Sequence, residues 1–378
     1  MSESTRRQFL GGAAAAAAAT VLTPPTLAGA QSGPAPAPTA PSPPVGPTSP
    51  YGVYQSEIYI SGMTAGVEPI FTTNLFDLEA VAAKVLSSKA RRYLLASAGG
   101  AAAVLANTRA LREWRIVPRM FIDRDDRDIS TKVLGVWMPA PVILGPVGRQ
   151  TLAHPDGELA SARAAAGLDL TYVHSSRSSR PVEAVAAAAP QGSRWFGLDW
   201  PDGNGRDLET TLVRAKAAGC THLVLSAPQP GERWGALAKV RRAWDGPIVL
   251  SGVQSVQAAR MAVRRGFDGI VVSNERGRRG RRPEGTIDRL PRVVDSIGGK
   301  VAVLFGSGVR TGPDVYRALA LGAEAVLIGR PYVHGLGLAG EDGVRHVLRT
   351  LLAELETNLA IAGVDNHRKL DPGALVRA

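Results

Sequence analysis

The 378-residue chain holds a single cysteine, Cys220. One thiol excludes an intramolecular disulfide framework and a cysteine-ligated zinc cluster. It follows Ala217, Ala218 and Gly219, so a buried packing role is expected of it. Past the N-terminal region the sequence has no apolar run of the length a membrane-spanning helix needs. Acidic residues are also short: 33 Asp and Glu face 44 Lys and Arg, a net charge of +11. That imbalance favours anionic partners. What remains, 45% hydrophobic and 20% charged residues, is globular composition and excludes a disordered or collagenous chain.

The first fifty residues read as an address and a spacer. Arg6-Arg7 precedes an Ala-rich apolar stretch from Gly11 to Leu22, and Ala28-Gly29-Ala30 supplies a small-residue cleavage site. This is the three-part layout of a twin-arginine export signal over residues 1–30. A buried helix is the poorer reading, because Pro24 and Pro25 end it at once. Eight prolines in residues 31–50 make an extended tether that cannot join a sheet or bury a core. The expected compartment is the periplasm, and this export route carries chains that have already folded. Nucleic acid fits the charge but not the compartment, and the mature chain is expected not to span the membrane.

From residue 136 to 365 short β-rich runs alternate with Ala- and Arg-rich helical stretches. The runs are Pro141–Leu144, Leu170–Val173, Trp195–Leu198, His222–Leu225, Pro247–Leu250, Gly269–Ser273, Val301–Phe305 and Ala325–Ile328. Continuous apolar runs mark strands buried on both faces. Eight such units predict a (β/α)8 TIM barrel, an α/β fold, rather than an open doubly wound sheet. Residues 51–135 are expected to pack on the barrel as a helical N-terminal extension. A C-terminal helix ends the barrel, and residues 366–378 form a tail.

In a barrel of this kind the chemistry sits at the C-terminal ends of the strands, and phosphate groups sit after strands seven and eight. Gly306-Ser307-Gly308-Val309-Arg310 and Gly329-Arg330-Pro331 fall there. Glycines let backbone N–H groups approach a phosphate, and arginines add charge-assisted bonds. Ser307, Gly308, Arg310, Gly329 and Arg330 are therefore candidate phosphate contacts. There is no metal-ligand pattern.

Several stretches carry a resemblance: Pro118-Arg119, His154-Pro155-Asp156-Gly157-Glu158, Ser273-Asn274, Gly308-Val309-Arg310 with Gly312 and Asp314, and Ala318 to Ala323. Over roughly residues 70–365 the chain resembles the FMN-dependent α-hydroxy acid dehydrogenases and oxidases. The resemblance implies FMN, an oxidoreductase, and a homo-oligomer, since members often form tetramers. It places Ser175 and Ser251 with the cofactor contacts, Tyr93 and Arg278 in the catalytic site, and Arg278 on the substrate carboxylate. Arg233 is a candidate for a second substrate arginine. His154 falls in a structural motif and is read as a loop residue.

The resemblance fails at the chemical end. After strand six the family reads Ser-Asn-His-Gly-Gly-Arg; this chain reads Ser273-Asn274-Glu275-Arg276-Gly277-Arg278. Glu275 stands where a proton-accepting histidine is expected, and Gly306 where an aspartate orients it. Ser251 replaces a lysine, and Gly197 and Asp199 replace a glutamine and a tyrosine. Free Glu titrates near 4.3 and His near 6.5, so Glu275 is the poorer base at neutral pH. His174 is a spare candidate for acid–base work.

Three readings follow. The first is an exported FMN oxidoreductase acting on a small anionic organic substrate through an altered site, with an unidentified electron acceptor. The second is a catalytically degenerate barrel that binds FMN or another phosphorylated ligand. The third is a cofactor-free envelope interaction protein using the arginine loop 276–282.

Overall fold

The computed structural model describes residues 51–96, 101–119, 127–200, 208–228, 234–274 and 284–378. The expected signal, residues 1–30, and the expected tether, 31–50, lie outside the described residues. Eight parallel strands close a barrel: β1 (Val142–Leu144), β2 (Thr171–Ser175), β3 (Arg194–Leu198), β4 (Leu223–Ser226), β5 (Ile248–Val253), β6 (Gly269–Val272), β7 (Ala302–Gly306) and β8 (Ala325–Ile328). Sequence neighbours pair in order, and β8 pairs with β1 to complete the ring. Every strand falls on an expected run. The differences lie at the ends: β2 continues to Ser175 and β5 to Val253. The β5 extension carries a register shift between Ser251 and Val253, with Gly252 at φ +99°. Glycine accommodates this bulge without the strain a side chain would meet.

Strand parity explains the unbroken apolar runs. Ile143, Val173, Trp195, Val224, Val249, Val271, Leu304 and Leu327 form an inner cluster. Their neighbours, such as Leu144, Tyr172, Phe196, Leu225 and Phe305, join the outer core against the helices. Both faces are dry, so both parities must be apolar. A hairpin, Thr131–Val133 with Val136–Met138, adds Val133 and Met138 to the inner cluster. It closes the N-terminal end: the Leu134 carbonyl meets His222 Nε2 at 3.0 Å, just before β4.

One helix follows each strand: α5 (Glu158–Ala166), α6 (Val182–Ala188), α7 (Leu208–Ala217), α8 (Ala236–Ala243), α9 (Val256–Arg264), α10 (Leu290–Ile297), α11 (Gly312–Ala320) and α12 (Arg330–Ile361). The starts have local causes. The Ser255 hydroxyl accepts from Ala258 N–H at 3.1 Å and caps α9. Asp314 reaches back from α11 to the N–H groups of Arg310 and Thr311 at 2.9 and 3.2 Å. The long α12 is interrupted at Ala339-Gly340.

Before the barrel come α1 (Val53–Ala65), α2 (Leu78–Val85), α3 (Ser88–Ala96) and α4 (Ala101–Glu113). α1 lies on α12, where Tyr54 Oη meets His346 Nδ1 at 2.8 Å and Arg349 pairs with Glu57 at 3.0 Å. Residues 366–378, expected as a tail, contain a short strand. Leu375–Arg377 pairs antiparallel with Trp114–Ile116, so the tail forms a small sheet with the strand that follows α4. Among the described residues no helix is long and apolar enough to cross a membrane.

Candidate functional site: the barrel mouth

Two residues beyond each member of the inner apolar ring, strand parity again points inward. The residues there are Gly145, Ser175, Gly197 and Ser226 on the first four strands. On the last four they are Ser251, Ser273, Gly306 and Gly329. All eight are glycine or serine, and all eight line one cavity of about 870 Å³ at the C-terminal ends of the strands. A ring of large residues would fill this layer; small ones hollow it out. The floor is tight where it must be: a Cβ on Gly197 would stand 2.6 Å from Pro146 Cβ. The Ser273 hydroxyl is buried and has no hydrogen-bond partner, an unmet donor facing a site made for a ligand.

One side of the mouth is built for an anion. The segment Ser307–Arg310 follows β7, with Ser307 at φ +130° and Gly308 at φ +83°. A non-glycine residue at such φ is held there by its surroundings. Here the Ser307 hydroxyl accepts from Asn274 N–H at 3.1 Å. At Gly308 a Cβ would meet Asn107 Cβ at 2.7 Å, so only glycine fits. Arg310 is largely buried, 3.6 Å from Glu79, and its Nη2 makes no hydrogen bond. Beside it α12 begins, with Gly329 as a cap that offers no side-chain acceptor. The first N–H groups of a long helix are thus left for an anion, and the helix dipole favours one there. His334 sits behind, its pKa pushed down to about 3 by burial and by Arg310 and Arg330. It is neutral and leaves the positive charge to the arginines. These features fit a phosphate group.

The loop after β1, Gly145 to Gly148, also lines the cavity and is tied from behind. Tyr332 on α12 donates its hydroxyl hydrogen to the Gly145 carbonyl at 2.8 Å. Gln150 Nε2 donates to the Val147 carbonyl at 2.9 Å and to Tyr172 Oη at 3.1 Å. Ser161 in turn donates to Gln150 Oε1 at 2.7 Å. A buried network satisfied in this way fixes the loop height.

The cavity wall also carries Tyr93, Arg177 and Asp199. Burial raises the Tyr93 pKa, with Arg149 and Arg177 opposing it. Its phenol is therefore a hydrogen-bond donor at neutral pH. The Arg149 guanidinium lies 5.6 Å from the Tyr93 ring centre. Arg177 pairs with Asp199.

The cavity therefore gathers Tyr93, Ser175, Ser251, Ser307, Gly308, Arg310, Gly329 and Arg330, all of them expected at the site. Glu275, Arg278 and Arg233 lie outside the described residues. His174, the spare acid–base candidate, is a buried histidine outside the site. It neighbours the inward Val173 and Ser175 and so faces out of the barrel, stacked 5.9 Å from Phe196. Burial pushes its pKa down to about 4, and it does not line the cavity. The parity of β2 held this information. His154 is a turn residue whose Nδ1 accepts from Asp156 N–H at 3.2 Å, as expected. Asn107, from α4, was not anticipated. Its side chain bonds Asn274 Oδ1 at 3.1 Å and both Thr286 N–H and Oγ1, at 3.0 and 2.9 Å. No local signal in an Ala-rich helix marks a residue that reaches so far along the chain.

The sequence profile of the FMN-dependent dehydrogenase family matches residues 82–233 and 226–377. The FMN-dependent alpha-hydroxy acid dehydrogenase qulF of Penicillium citrinum is 36% identical over 374 residues, covering 83% of this chain and 93% of that protein. The L-lactate oxidase of Lysinibacillus sphaericus is 30% identical over 355 residues, covering 80% and 92%. Among solved structures, mandelate oxidase with (S)-4-hydroxymandelic acid superposes with a TM-score of 0.72 at 32% identity, covering 81% of this chain and 98% of that one.

Proposed function

The chain belongs to the FMN-dependent dehydrogenase family, and from that premise we propose that it is an exported oxidase or dehydrogenase of small 2-hydroxy acids with a rebuilt active site. Its cofactor is FMN and its class is oxidoreductase. That sets aside the cofactor-free envelope reading and favours the enzyme over the degenerate barrel. The observation that carries the proposal is the hollow glycine–serine ring joined to an anion cradle on one side.

Ser307, Gly308, Arg310, Gly329 and Arg330 hold the FMN phosphate in this reading. The N–H groups of the loop and of α12 point charge-compensating dipoles at it. Ser175 and Ser251 supply hydroxyls to the rest of the cofactor. When bound, FMN supplies a two-electron acceptor for the substrate carbon. The protein's own share is to bind, orient and exclude water. Tyr93 offers a phenolic hydrogen to a substrate oxygen. Arg278, on the sequence match, pairs with the substrate carboxylate, and Arg233 is the second candidate. Lactate and mandelate, the acids in the relatives' names, represent the substrate class.

The rebuilding is supported by Gly306, Ser251 and Gly197 in the ring, where the resemblance expects an aspartate, a lysine and a glutamine. Losing a cation beside a cofactor that gains electrons removes a term that is worth several kcal/mol in such sites. A slower enzyme is the consequence. Export is supported by Arg6-Arg7, the apolar stretch behind them and the proline-rich segment 31–50. A periplasmic enzyme needs an electron acceptor there.

The test is the visible spectrum of the natively exported protein, with the released cofactor identified. Stoichiometric FMN and bleaching by a 2-hydroxy acid are expected. Export should stop when Arg6 and Arg7 are both changed to Lys. A colourless protein that refuses added FMN would overturn the reading.

A further inference from the structure

Among the described residues that line the cavity, Asp199 is the only carboxylate, and there is no histidine or lysine. The other ionisable groups there are arginines and Tyr93. Arginine stays protonated in any protein, and the Tyr93 phenol is raised by burial. Of these groups, Asp199 alone is an acceptor-only side chain, able to take a hydrogen bond from a bound hydroxyl. It follows β3, four places round the eight-strand ring from β7. It therefore stands across the mouth from the anion cradle.

Asp199 is held in a specific way. Its backbone N–H donates to Ser176 Oγ at 3.4 Å, and its carboxylate pairs with Arg177 Nε. Arg177 is itself pinned: its N–H donates to Ser175 Oγ at 3.1 Å, and its carbonyl accepts from Arg149 N–H at 3.1 Å. A Cβ on Gly148 would stand 2.6 Å from that same carbonyl. The backbone is fixed while the guanidinium reaches into the open part of the mouth, with its side chain 63% exposed. Tyr93 feels both charges, so the three groups form one cluster.

An ion pair of this kind is complementary to a 2-hydroxy acid. A guanidinium matches a carboxylate bidentately, and a carboxylate accepts from a hydroxyl. Resting on the reading that the enzyme oxidises 2-hydroxy acids, we propose that Arg177 and Asp199 are its substrate clamp: Arg177 takes the acid's carboxylate, and Asp199 takes the hydroxyl and then its proton. The substrate carboxylate replaces Asp199 on Arg177. In the reaction the hydroxyl O–H bond breaks and its proton moves to Asp199. The C2–H bond breaks, and its hydrogen leaves with the electron pair to the bound FMN. The C2–O bond becomes a carbonyl, giving the 2-oxo acid and two-electron-reduced FMN. The clamp takes over the proton-accepting task that the sequence match assigns to Glu275 and the carboxylate contact that it assigns to Arg278.

The experiment uses the FMN-loaded protein in two readouts. Benzoylformate binding is followed by its perturbation of the flavin spectrum, and flavin bleaching is followed after rapid anaerobic mixing with (S)-mandelate and L-lactate. Asp199→Asn should keep FMN and bind benzoylformate within about threefold of wild type, yet bleach at least about 100-fold more slowly, the usual scale for a lost general base. Asp199→Glu should recover part of the rate. Arg177→Met should weaken benzoylformate binding at least about tenfold, as expected for a lost charged hydrogen bond, and Arg177→Lys less. Glu275→Gln should stay within about fivefold of wild type, well inside the loss expected of a general base. Bleaching of Asp199→Asn at the wild-type rate, unchanged benzoylformate binding by Arg177→Met, or a Glu275→Gln loss as deep as that predicted for Asp199→Asn would each overturn the clamp while the proposed function stood. If Asp199→Asn fails to fold, the Asp199→Glu and Arg177 variants decide. Wild-type protein that binds FMN but is bleached by no 2-hydroxy acid would overturn both.

Discussion

Asn107 Nδ2 donates to Asn274 Oδ1 at 3.1 Å, joining a helix that precedes the barrel to the end of β6. Asn107 Oδ1, the other end of that amide, accepts from Thr286 N–H and Oγ1. One side chain thus bridges Asn274 and Thr286, which precede and follow positions 275–283, where Glu275 and Arg278 fall in the sequence. Asn274 N–H in turn donates to Ser307 Oγ, so the clasp also reaches the anion cradle.

Asn107→Leu removes three buried hydrogen bonds and strands the Thr286 N–H. At about 1 kcal/mol per bond, the variant should lose about 3 kcal/mol of stability. It should also bind FMN more weakly. Denaturant unfolding of the FMN-loaded protein checks the first and an FMN titration the second. A loss under about 0.5 kcal/mol would show that the clasp is idle.

Gly308→Ala and Arg310→Ala probe the cradle by different routes. The first forces a Cβ against Asn107 at φ +83°. The second removes a charge that would bond the phosphate. Each should lower FMN affinity at least about tenfold, the scale of one charged hydrogen bond. Removing FMN from the wild type should lower its unfolding temperature, and added FMN should restore it in a concentration-dependent way. Equilibrium dialysis and thermal unfolding measure these. Unchanged FMN affinity in both variants would place the phosphate elsewhere.

Glu354 on α12 accepts from Gly312 N–H at 2.7 Å, where α11 and α12 touch. Burial pushes its pKa up to about 7 from 4.5, with Asp314 adding to the rise. The folded state therefore binds more protons than the unfolded one between pH 4.5 and 7. Stability from this group is full below 4.5 and is lost as pH rises through 7, by up to about 3 kcal/mol. The buried His174 and His367, with pKa values near 4, act with the opposite sign and cost stability as pH falls below 6.5. Comparing Glu354→Gln with wild type isolates the carboxylate. Glutamine keeps the acceptor for Gly312, so the variant should be more stable at pH 8 and nearly equal at pH 4.5. Equal effects at both values would contradict the assignment.

Cys220 is buried, and burial raises its thiol to about 12. Native protein should resist iodoacetamide at pH 8, and denatured protein should react fully. Alkylation of the native protein at the denatured rate would mean that this part of the barrel opens readily.

The sequence made the barrel legible because strands buried on both faces have no polar parity, and eight unbroken apolar runs could only be strands of a covered sheet. The cradle was legible because glycine and arginine recur after the correct two strands. The outward face of His174 was written in the parity of β2, one residue from Val173. Other parts have no local signature. Arg177 and Asp199 meet because β2 and β3 are neighbours in the ring. Asn107 acts on residues more than 160 positions away. Leu375–Arg377 becomes a strand only because Trp114–Ile116 offers it an edge. Pairings of this kind belong to the closed barrel and its surroundings, and no window of sequence contains them.

The most direct test of the account is anaerobic mixing of the FMN-loaded protein with one equivalent of (S)-mandelate or L-lactate, with the products identified. The account predicts loss of the oxidised flavin spectrum and one 2-oxo acid formed per flavin reduced. FMN that stays oxidised throughout, with the hydroxy acid recovered intact, would contradict it.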